Sequence, residues 1–91
     1  MASVMVRLPS VMDPIVEGKR SFSIEVETLA DVVARLREEP KLGGHLFDES
    51  GAFRPHVLCF HNETNLRWLE DLSMRVKEGD TITILQAVSG G

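Results

Sequence analysis

The segment from Leu29 to Leu36 carries apolar residues on only one side of a helix, and this constrains the fold more than any other feature of the chain. Its apolar residues have the spacing i, i+3, i+4 and i+7 of a single stripe: Leu29, Val32, Val33 and Leu36. Thr28 is a good N-cap for this helix, and Pro40 ends the periodic stretch. A helix of about three turns with one apolar side has to be covered, so we expect it to lie across a sheet.

Two strand patterns precede this helix. Residues 3–8 and 21–27 alternate apolar and polar side chains with a period of two, which predicts two half-buried strands. Residues 9–20 contain Pro14 and Gly18 and are interpreted as the turn between them, so that the two strands form a hairpin.

The sheet continues after the helix. The nearly continuous apolar run of residues 56–61 predicts a central strand covered on much of both faces. A short strand is predicted at residues 66–68, and residues 81–85 form a β-branched strand after a Glu-Gly-Asp turn. Between them, four apolar side chains are expected to point inward: Leu69, Leu72, Met74 and Val76.

Size and composition exclude several function classes. A chain of 91 residues has room for one core. The net charge is −4 and the ten basic residues are scattered, which disfavours nucleic-acid binding. No apolar run approaches the roughly 20 residues of a membrane span, and no signal peptide is recognised. The single cysteine, Cys59, excludes an internal disulfide and fits a reducing compartment, so we expect a soluble cytoplasmic protein.

The last six residues cannot contribute to a core, because they are small or polar and end in Gly90-Gly91. On composition alone they are either a frayed end without a role or a tail that works by threading. Glycine has no Cβ, so a Gly-Gly end passes a narrow cleft and presents a bare carboxylate to another protein. We therefore divide the chain into a domain over residues 1–85 and a flexible tail over residues 86–91.

The C-terminal sequence Glu-Gly-Asp-Thr-Ile-Thr-Ile-Leu-Gln-Ala-Val-Ser-Gly-Gly resembles that of the ubiquitin-like sulfur carriers of the MoaD/ThiS family, and its closest similarity is to the CysO-like branch. The resemblance extends from Val4 to Gly91. It implies an α+β fold, the ubiquitin-like β-grasp, with a mixed sheet of four or five strands and one main helix packed across it. Gln86 and Ser89 depart from residues common in the family, which leaves the rigidity of the tail open.

The resemblance also implies a chemistry. A partner adenylyltransferase of the ubiquitin-activating type would use ATP to convert the Gly91 carboxylate into an acyl-adenylate. A persulfide or sulfide donor would then displace AMP and leave a thiocarboxylate for a client synthase or sulfhydrylase. The chain itself would bind no cofactor and would not be an enzyme. Tail residues are expected to thread into the partner: Ala87, Val88, Ser89 and Gly90.

Alternation along the last strand predicts the partner interface. With Ile82 and Ile84 facing the helix, Leu85 lies on the opposite face of the sheet. Three further residues are expected to join it in an apolar patch: Leu58, Phe60 and Leu66. In the MoaD-like relatives the apolar residue at the Leu85 position lies in the enzyme interface, which supports this choice.

The remaining reactive side chains have ordinary structural explanations. Cys59 lies mid-strand between Leu58 and Phe60 and is interpreted as a buried thiol. His56 and His61 are five residues apart on a strand and would point to opposite faces, so we expect no shared metal site. Met5, Met12, Met74 and Trp68 are assigned to the core and its rim. No residue within the chain is predicted to be catalytic.

Two alternative functions stay open at this stage. The same activation of Gly91 would serve a ubiquitin-like modifier that forms an isopeptide bond with target lysines. The chain would otherwise be a β-grasp binding subunit that transfers nothing, with an incidental tail. The client pathway is open as well, since molybdopterin, thiamin, cysteine and other sulfur metabolites are all made with such carriers.

Overall fold

The computed structural model describes residues 1–66 and 71–86. The strands in these ranges are β1 (Ala2–Arg7), β2 (Ser21–Val26), β3 (Val57–His61), β4 (Thr64–Asn65) and β5 (Thr81–Gln86). The helices are α1 (Asp13–Val16), α2 (Leu29–Glu38) and α3 (Gly43–Leu46), and a 3-10 turn lies at Ser10–Met12.

The strands form one mixed sheet in the order β2-β1-β5-β3-β4. β1 and β2 are an antiparallel hairpin, β5 runs parallel to β1, and β3 is antiparallel to both β5 and β4. The expected mixed sheet with one main helix is therefore observed. The last long strand, rather than residues 56–61, occupies the centre.

α2 begins where the sequence predicts. The Thr28 hydroxyl accepts a hydrogen bond from the Asp31 N–H at 3.2 Å, and the Asp31 carboxylate accepts one from the Thr28 N–H at 3.2 Å. This reciprocal capping box satisfies backbone donors that the first turn leaves unpaired. The apolar stripe of α2 is buried against one face of the sheet in a single core cluster, in which the strand residues are Val4, Val6, Ile24, Val26, Val57, Cys59, Ile82 and Ile84.

Residues 9–20 are more ordered than the predicted turn. They contain the 3-10 turn and α1, and Pro14 stands in the first turn of α1, where its missing N–H costs no helical hydrogen bond. Met12 is buried here, as expected. The chain then returns to β2 through Gly18, whose φ of 81° lies in the left-handed region that glycine adopts without strain.

The predictions after α2 need three corrections. The run at residues 56–61 is not the central strand, since β3 lies between β5 and the two-residue strand β4. The short strand predicted at residues 66–68 is observed at Thr64–Asn65, while residues 67 and 68 lie outside the described ranges. Met74 was expected to point inward but is 48% exposed.

The other inward predictions in that segment agree with the structure where they are described. Val76 is buried, and Leu72 is half-buried and packs against the core. Leu69 lies outside the described residues. At the end of the sheet, β5 includes Gln86, which pairs with Val57, so the strand runs one residue past the expected boundary.

Candidate functional site

The predicted attachment site and threading segment lie outside the described residues: Ala87, Val88, Ser89, Gly90 and Gly91. The structure does describe the strand from which they depart. β5 is hydrogen-bonded on both sides, to β1 over Thr81–Thr83 and to β3 over Ile82–Gln86. The start of β5 therefore has two strand partners, whereas its last residues, Ile84–Gln86, pair with β3.

The face of the sheet turned away from α2 carries most of the predicted interface. Leu58 and Leu85 are direct cross-strand partners, and Phe60 lies opposite Thr83. Leu85 is 42% exposed, and Leu58 and Phe60 are half-buried. Cross-strand neighbours on one face contact each other through their side chains, so these three apolar residues form one patch at the end of β5.

Leu66 does not belong to this patch. It is 4% exposed and lies in the core cluster with the α2 stripe. The sequence prediction assumed a strand at residues 66–68, in which Leu66 would face outward. The strand ends at Asn65 instead, and the chain turns Leu66 into the core.

Met5 is a further exposed apolar residue on this face. It was predicted to lie in the core or at its rim. It is 37% exposed and pairs in register with Thr81 of β5. Alternation with the buried Val4 and Val6 was the signal that placed it on the outer face. We name Leu58, Phe60 and Leu85 the outer-face patch; Met5 lies outside it, beside Thr81 at the start of β5.

The Gly-Asp turn before β5 is held by a network around Asp80. The Asp80 carboxylate accepts hydrogen bonds from His61 Nε2 at 2.8 Å, from the Lys77 N–H at 2.8 Å and from Asn62 Nδ2 at 3.4 Å. The hydrogen bond from His61, followed by that from Lys77, lowers the pKa of Asp80 below its usual value, because both favour the ionised form. The carboxylate thus joins the end of β3 to the start of β5.

Asn62 completes this connection. Its side-chain oxygen accepts from the Thr81 N–H at 3.0 Å, and its own N–H donates to the Thr81 carbonyl at 2.8 Å. Its φ of 55° is in the left-handed region, which asparagine tolerates better than most residues. Gly79 has φ 88° and donates its N–H to the Ser3 carbonyl, which ties the same turn to β1. The register of β5 is therefore secured from both sides.

Cys59 is a buried thiol, as predicted. It is 2% exposed on the helix side of β3, and burial raises its pKa to about 12. A thiol with this pKa is protonated at neutral pH, and the thiolate is the nucleophilic form. Cys59 is therefore unsuited to carry an activated acyl group or sulfur in the folded protein.

The histidines do not converge. His61 is the β3 residue bound to Asp80, whereas His56 is exposed and precedes the strand. Within residues 1–66 and 71–86, no group of three or more His, Cys, Asp or Glu side chains is arranged to hold a metal ion. Across the same ranges, none of the helices combines the length and the hydropathy that a membrane span requires.

Comparison with protein families gives a match over nearly the whole chain. The model of the ThiS family matches residues 7–91, which includes the tail and its two glycines. The sulfur carrier protein CysO of Mycobacterium tuberculosis is 30% identical over 92 residues, an alignment that covers 98% of this chain and 99% of the relative.

Solved structures of similar proteins confirm the ubiquitin-like β-grasp fold. The crystal structure of Mycobacterium tuberculosis CysO has a TM-score of 0.75 at 30% identity and covers 93% of this chain and 99% of its own. Small archaeal modifier protein 1 of Methanosarcina acetivorans has a TM-score of 0.78 at 28% identity, covering 100% and 98%. The Amycolatopsis orientalis BexX/CysO complex contains a chain with a TM-score of 0.76 at 26% identity, covering 97% and 99%.

Proposed function

The chain belongs to the ThiS family and is a sulfur carrier of the ThiS and CysO type, and from this premise we propose that Gly91 is the residue that carries the sulfur. The observation that carries the proposal is the extent of the family match, which continues past β5 to residue 91. The described part of the chain offers no competing nucleophile of the right kind, since its cysteine is buried and protonated.

The proposed reaction proceeds in two steps on the terminal carboxylate. A partner adenylyltransferase of the ubiquitin-activating type transfers AMP from ATP to the Gly91 carboxylate and releases pyrophosphate. Sulfide then attacks the acyl carbon, AMP leaves, and a thiocarboxylate remains. A persulfide instead gives an acyl disulfide at this step, and a second thiol must then cleave its S–S bond, forming a disulfide with the donor and releasing the thiocarboxylate. The mixed anhydride is needed because a free carboxylate has no leaving group. Water would hydrolyse it, so both steps belong in a closed site of the partner.

The fold contributes the strand from which the tail departs and a surface to which a partner can bind. β5 fixes the point where the tail begins, and the outer-face patch lies beside that point on Leu85 and Leu58. An apolar patch at the root of a tail lets a partner bind the domain while the tail enters its active site. We propose that the adenylyltransferase and the client synthase or sulfhydrylase both bind here. One similar solved structure, the BexX/CysO complex, contains a carrier together with another protein.

Intact mass spectrometry tests the sulfur-carrier proposal directly. Incubation with the cognate adenylyltransferase, ATP and a sulfur donor should replace one oxygen by one sulfur at Gly91. Deleting Gly91 should abolish this exchange and leave the thermal midpoint of unfolding nearly unchanged. A chain extended beyond Gly91 is the matched control, because it keeps every residue and blocks only the carboxylate. Exchange in the extended chain, or none in the wild type with a verified cognate enzyme, would contradict the proposal.

A charged substitution tests the outer-face patch separately. Leu85→Asp should weaken binding to the adenylyltransferase by roughly ten-fold or more, because it puts a charge into an apolar contact. Met74→Asp is the matched control, since Met74 is similarly exposed but lies against the start of α2, where its carbonyl accepts from the Leu29 N–H. Equal losses of affinity in the two variants would contradict the assignment of the outer-face patch to the adenylyltransferase interface.

Conjugation to other proteins is the alternative function, and the similarity to small archaeal modifier protein 1 favours keeping it. In that case the activated Gly91 would form an isopeptide bond with a target lysine instead of accepting sulfur. A Gly-Gly remnant on lysines of other proteins after proteolysis would support the modifier. A thiocarboxylate without such remnants would support the carrier alone.

A further inference from the structure

Within residues 1–66 and 71–86, β2 has an outer backbone edge with which no other strand pairs. It lies at the end of the sheet and pairs with β1. The Leu8 N–H donates to the Arg20 carbonyl at 2.6 Å, directly beyond the last pair of that ladder. Antiparallel ladders alternate between residues that bond to the partner strand and residues whose backbone groups face away from it. Since Arg20 bonds toward β1, the backbone groups of Ser21, Ser23 and Glu25 point outward.

This edge lacks the usual protection against pairing. Natural edge strands are blunted by prolines, bulges or several charges. β2 contains no proline, and its register with β1 advances one residue at a time without a bulge. Ser21, Ser23 and Glu25 have exposed side chains, and only one of them is charged. Each of these three residues therefore directs a backbone N–H donor and a backbone carbonyl acceptor away from β1.

Two hollows between β2 and α2 flank this edge and differ in charge. The hollow at the start of β2 has a volume of about 420 Å³ and is lined by three cationic side chains and two carboxylates: Lys19, Arg35, Lys41, Glu17 and Glu39. The hollow at the end of β2 has a volume of about 430 Å³, and its charged side chains are four carboxylates and one guanidinium: Glu25, Glu27, Asp31, Glu38 and Arg35. Arg35 lines both hollows, so the start of the edge is only slightly basic, whereas the end of the edge is strongly acidic.

We propose that β2 is a self-association edge, on which a second copy of this chain pairs antiparallel through its own β2 about a two-fold axis at Ser23. In this register Ser23 faces Ser23 of the partner, and Ser21 and Glu25 face each other in both directions. It is the register in which all three outward residues of both strands are hydrogen-bonded, giving about six bonds across the interface.

Charge complementarity favours a second copy of this chain as the binding partner at the β2 edge. Antiparallel pairing places the basic hollow of each copy beside the acidic hollow of the other. Lys19 and Glu27 are both exposed and flank β2, four residues before and after Ser23, so the two-fold axis brings the Lys19 end of each copy to the Glu27 end of the other. A two-fold axis repeats this contact, and complementary charge at an interface favours correct association.

Self-association here goes beyond sulfur transfer and does not depend on it. β1 separates β2 from β5, so the paired edge is distant from Leu85 and from the start of the tail. A dimer joined through β2 is a continuous ten-stranded sheet with a carrier tail on each half. Sulfur loading measured on the same variants then separates a failure of this inference from a failure of the proposed function.

Sedimentation equilibrium of the full chain tests the inference. With so small an interface we expect weak association, so the apparent mass should rise from 10.1 kDa toward twice that value between about 10 µM and about 1 mM. Ser23→Pro removes an outward N–H at the symmetry axis and should keep the chain monomeric at every concentration. Proline is tolerated in an edge strand when its missing N–H would face solvent. Ser23→Ala is the matched control and should dimerise like the wild type.

If Ser23→Pro fails to fold, charge variants at Lys19 and Glu27 test the same interface. Lys19→Glu or Glu27→Lys alone should weaken the dimer about ten-fold, because the two-fold axis applies each change twice. The double variant with both changes restores opposite charges and should restore the wild-type dissociation constant. A wild-type chain that is monomeric to about 1 mM overturns the inference and leaves the edge to an extended segment of another protein. A dimer unaffected by Ser23→Pro and by the charge reversals overturns it as well.

Discussion

Replacing Asp80 by asparagine should measure how strongly the turn before β5 is held. The variant keeps the size and one side-chain oxygen but removes the negative charge. In the wild type that charge is shared by the hydrogen bonds from His61 Nε2 and the Lys77 N–H, both at 2.8 Å. Hydrogen bonds to a charged acceptor are stronger than neutral ones, so both should weaken.

The expected loss follows from these two contacts. A hydrogen bond to a charged group contributes about 1.5–3 kcal/mol, against about 0.5–1.5 kcal/mol for a neutral one. Two such bonds reduced to neutral strength correspond to about 2 kcal/mol of unfolding free energy. For a domain of this size the thermal midpoint should fall by roughly 10 °C. The side chains of His61 and Asp80 are 12% and 15% exposed, so solvent screening reduces this value little.

The difference in stability between the wild type and Asp80→Asn should disappear in acid. The hydrogen bond from His61 keeps the pKa of Asp80 lower in the folded protein than in the unfolded chain. The stabilisation from Asp80 is therefore complete above about pH 4, the usual carboxyl value, and is lost as the pH falls through the lower folded value. Denaturant unfolding of wild type and Asp80→Asn should differ by about 2 kcal/mol at neutral pH, and the difference should shrink as the pH falls through the lowered pKa of Asp80.

Asp71→Asn is the matched control. Asp71 accepts from the N–H of Ser73, only two residues away, and hydrogen bonding to Ser73 lowers its pKa as well. It is exposed and joins no separate strands, so its amide variant should leave the unfolding free energy nearly unchanged. Equal effects of the two variants, or a constant difference between wild type and Asp80→Asn across the pH range, would refute the reasoning.

Three further predictions concern local packing. Gly43→Ala should destabilise the fold by about 1–3 kcal/mol in thermal unfolding, because its Cβ would lie 2.6 Å from the Arg37 carbonyl oxygen. Gly44→Ala meets nothing within 4 Å and should be neutral or slightly stabilising; equal losses would contradict the packing argument. Thr28→Ala should lower the unfolding free energy by about 1 kcal/mol through loss of the cap, and an unchanged value would show that the cap contributes nothing. Cys59 should resist alkylation in native buffer and react fully in denaturant by mass spectrometry, so rapid native labelling would contradict its burial.

The elements with a strong local signal are those that the sequence analysis placed correctly. α2 begins after Thr28, where the capping residues and the 3.6-residue period coincide. β2 and β5 lie within a residue or two of their predicted bounds, because alternation and β-branched composition are local properties. Family resemblance supplied the β-grasp fold and the assignment to the sulfur carriers, and both agree with the relatives. The chemistry at Gly91 stays a proposal.

The errors occur where the chain departs from a regular pattern over a few residues. A two-residue strand is too short to show a periodic pattern, so its position cannot be predicted from the sequence. Because the strand lies at Thr64–Asn65 and not at residues 66–68, Leu66 is in the core and not in the interface. Proline and glycine are common both in turns and at helix ends, so Pro14 and Gly18 predict a turn where the structure has α1. Met5 was grouped with the core methionines by residue type, although its position in the alternating strand placed it outside.

The sequence by itself determined where α2 starts and which residues of each long strand face the core. These follow from interactions between residues a few positions apart. Only the tertiary structure decided the strand order with β5 at the centre, the bonding of Asp80 to His61 across 19 positions, and the place of β2 at the edge of the sheet. Those features depend on which strands pair and in which register. That choice is made by packing the whole core against α2, which no local pattern contains.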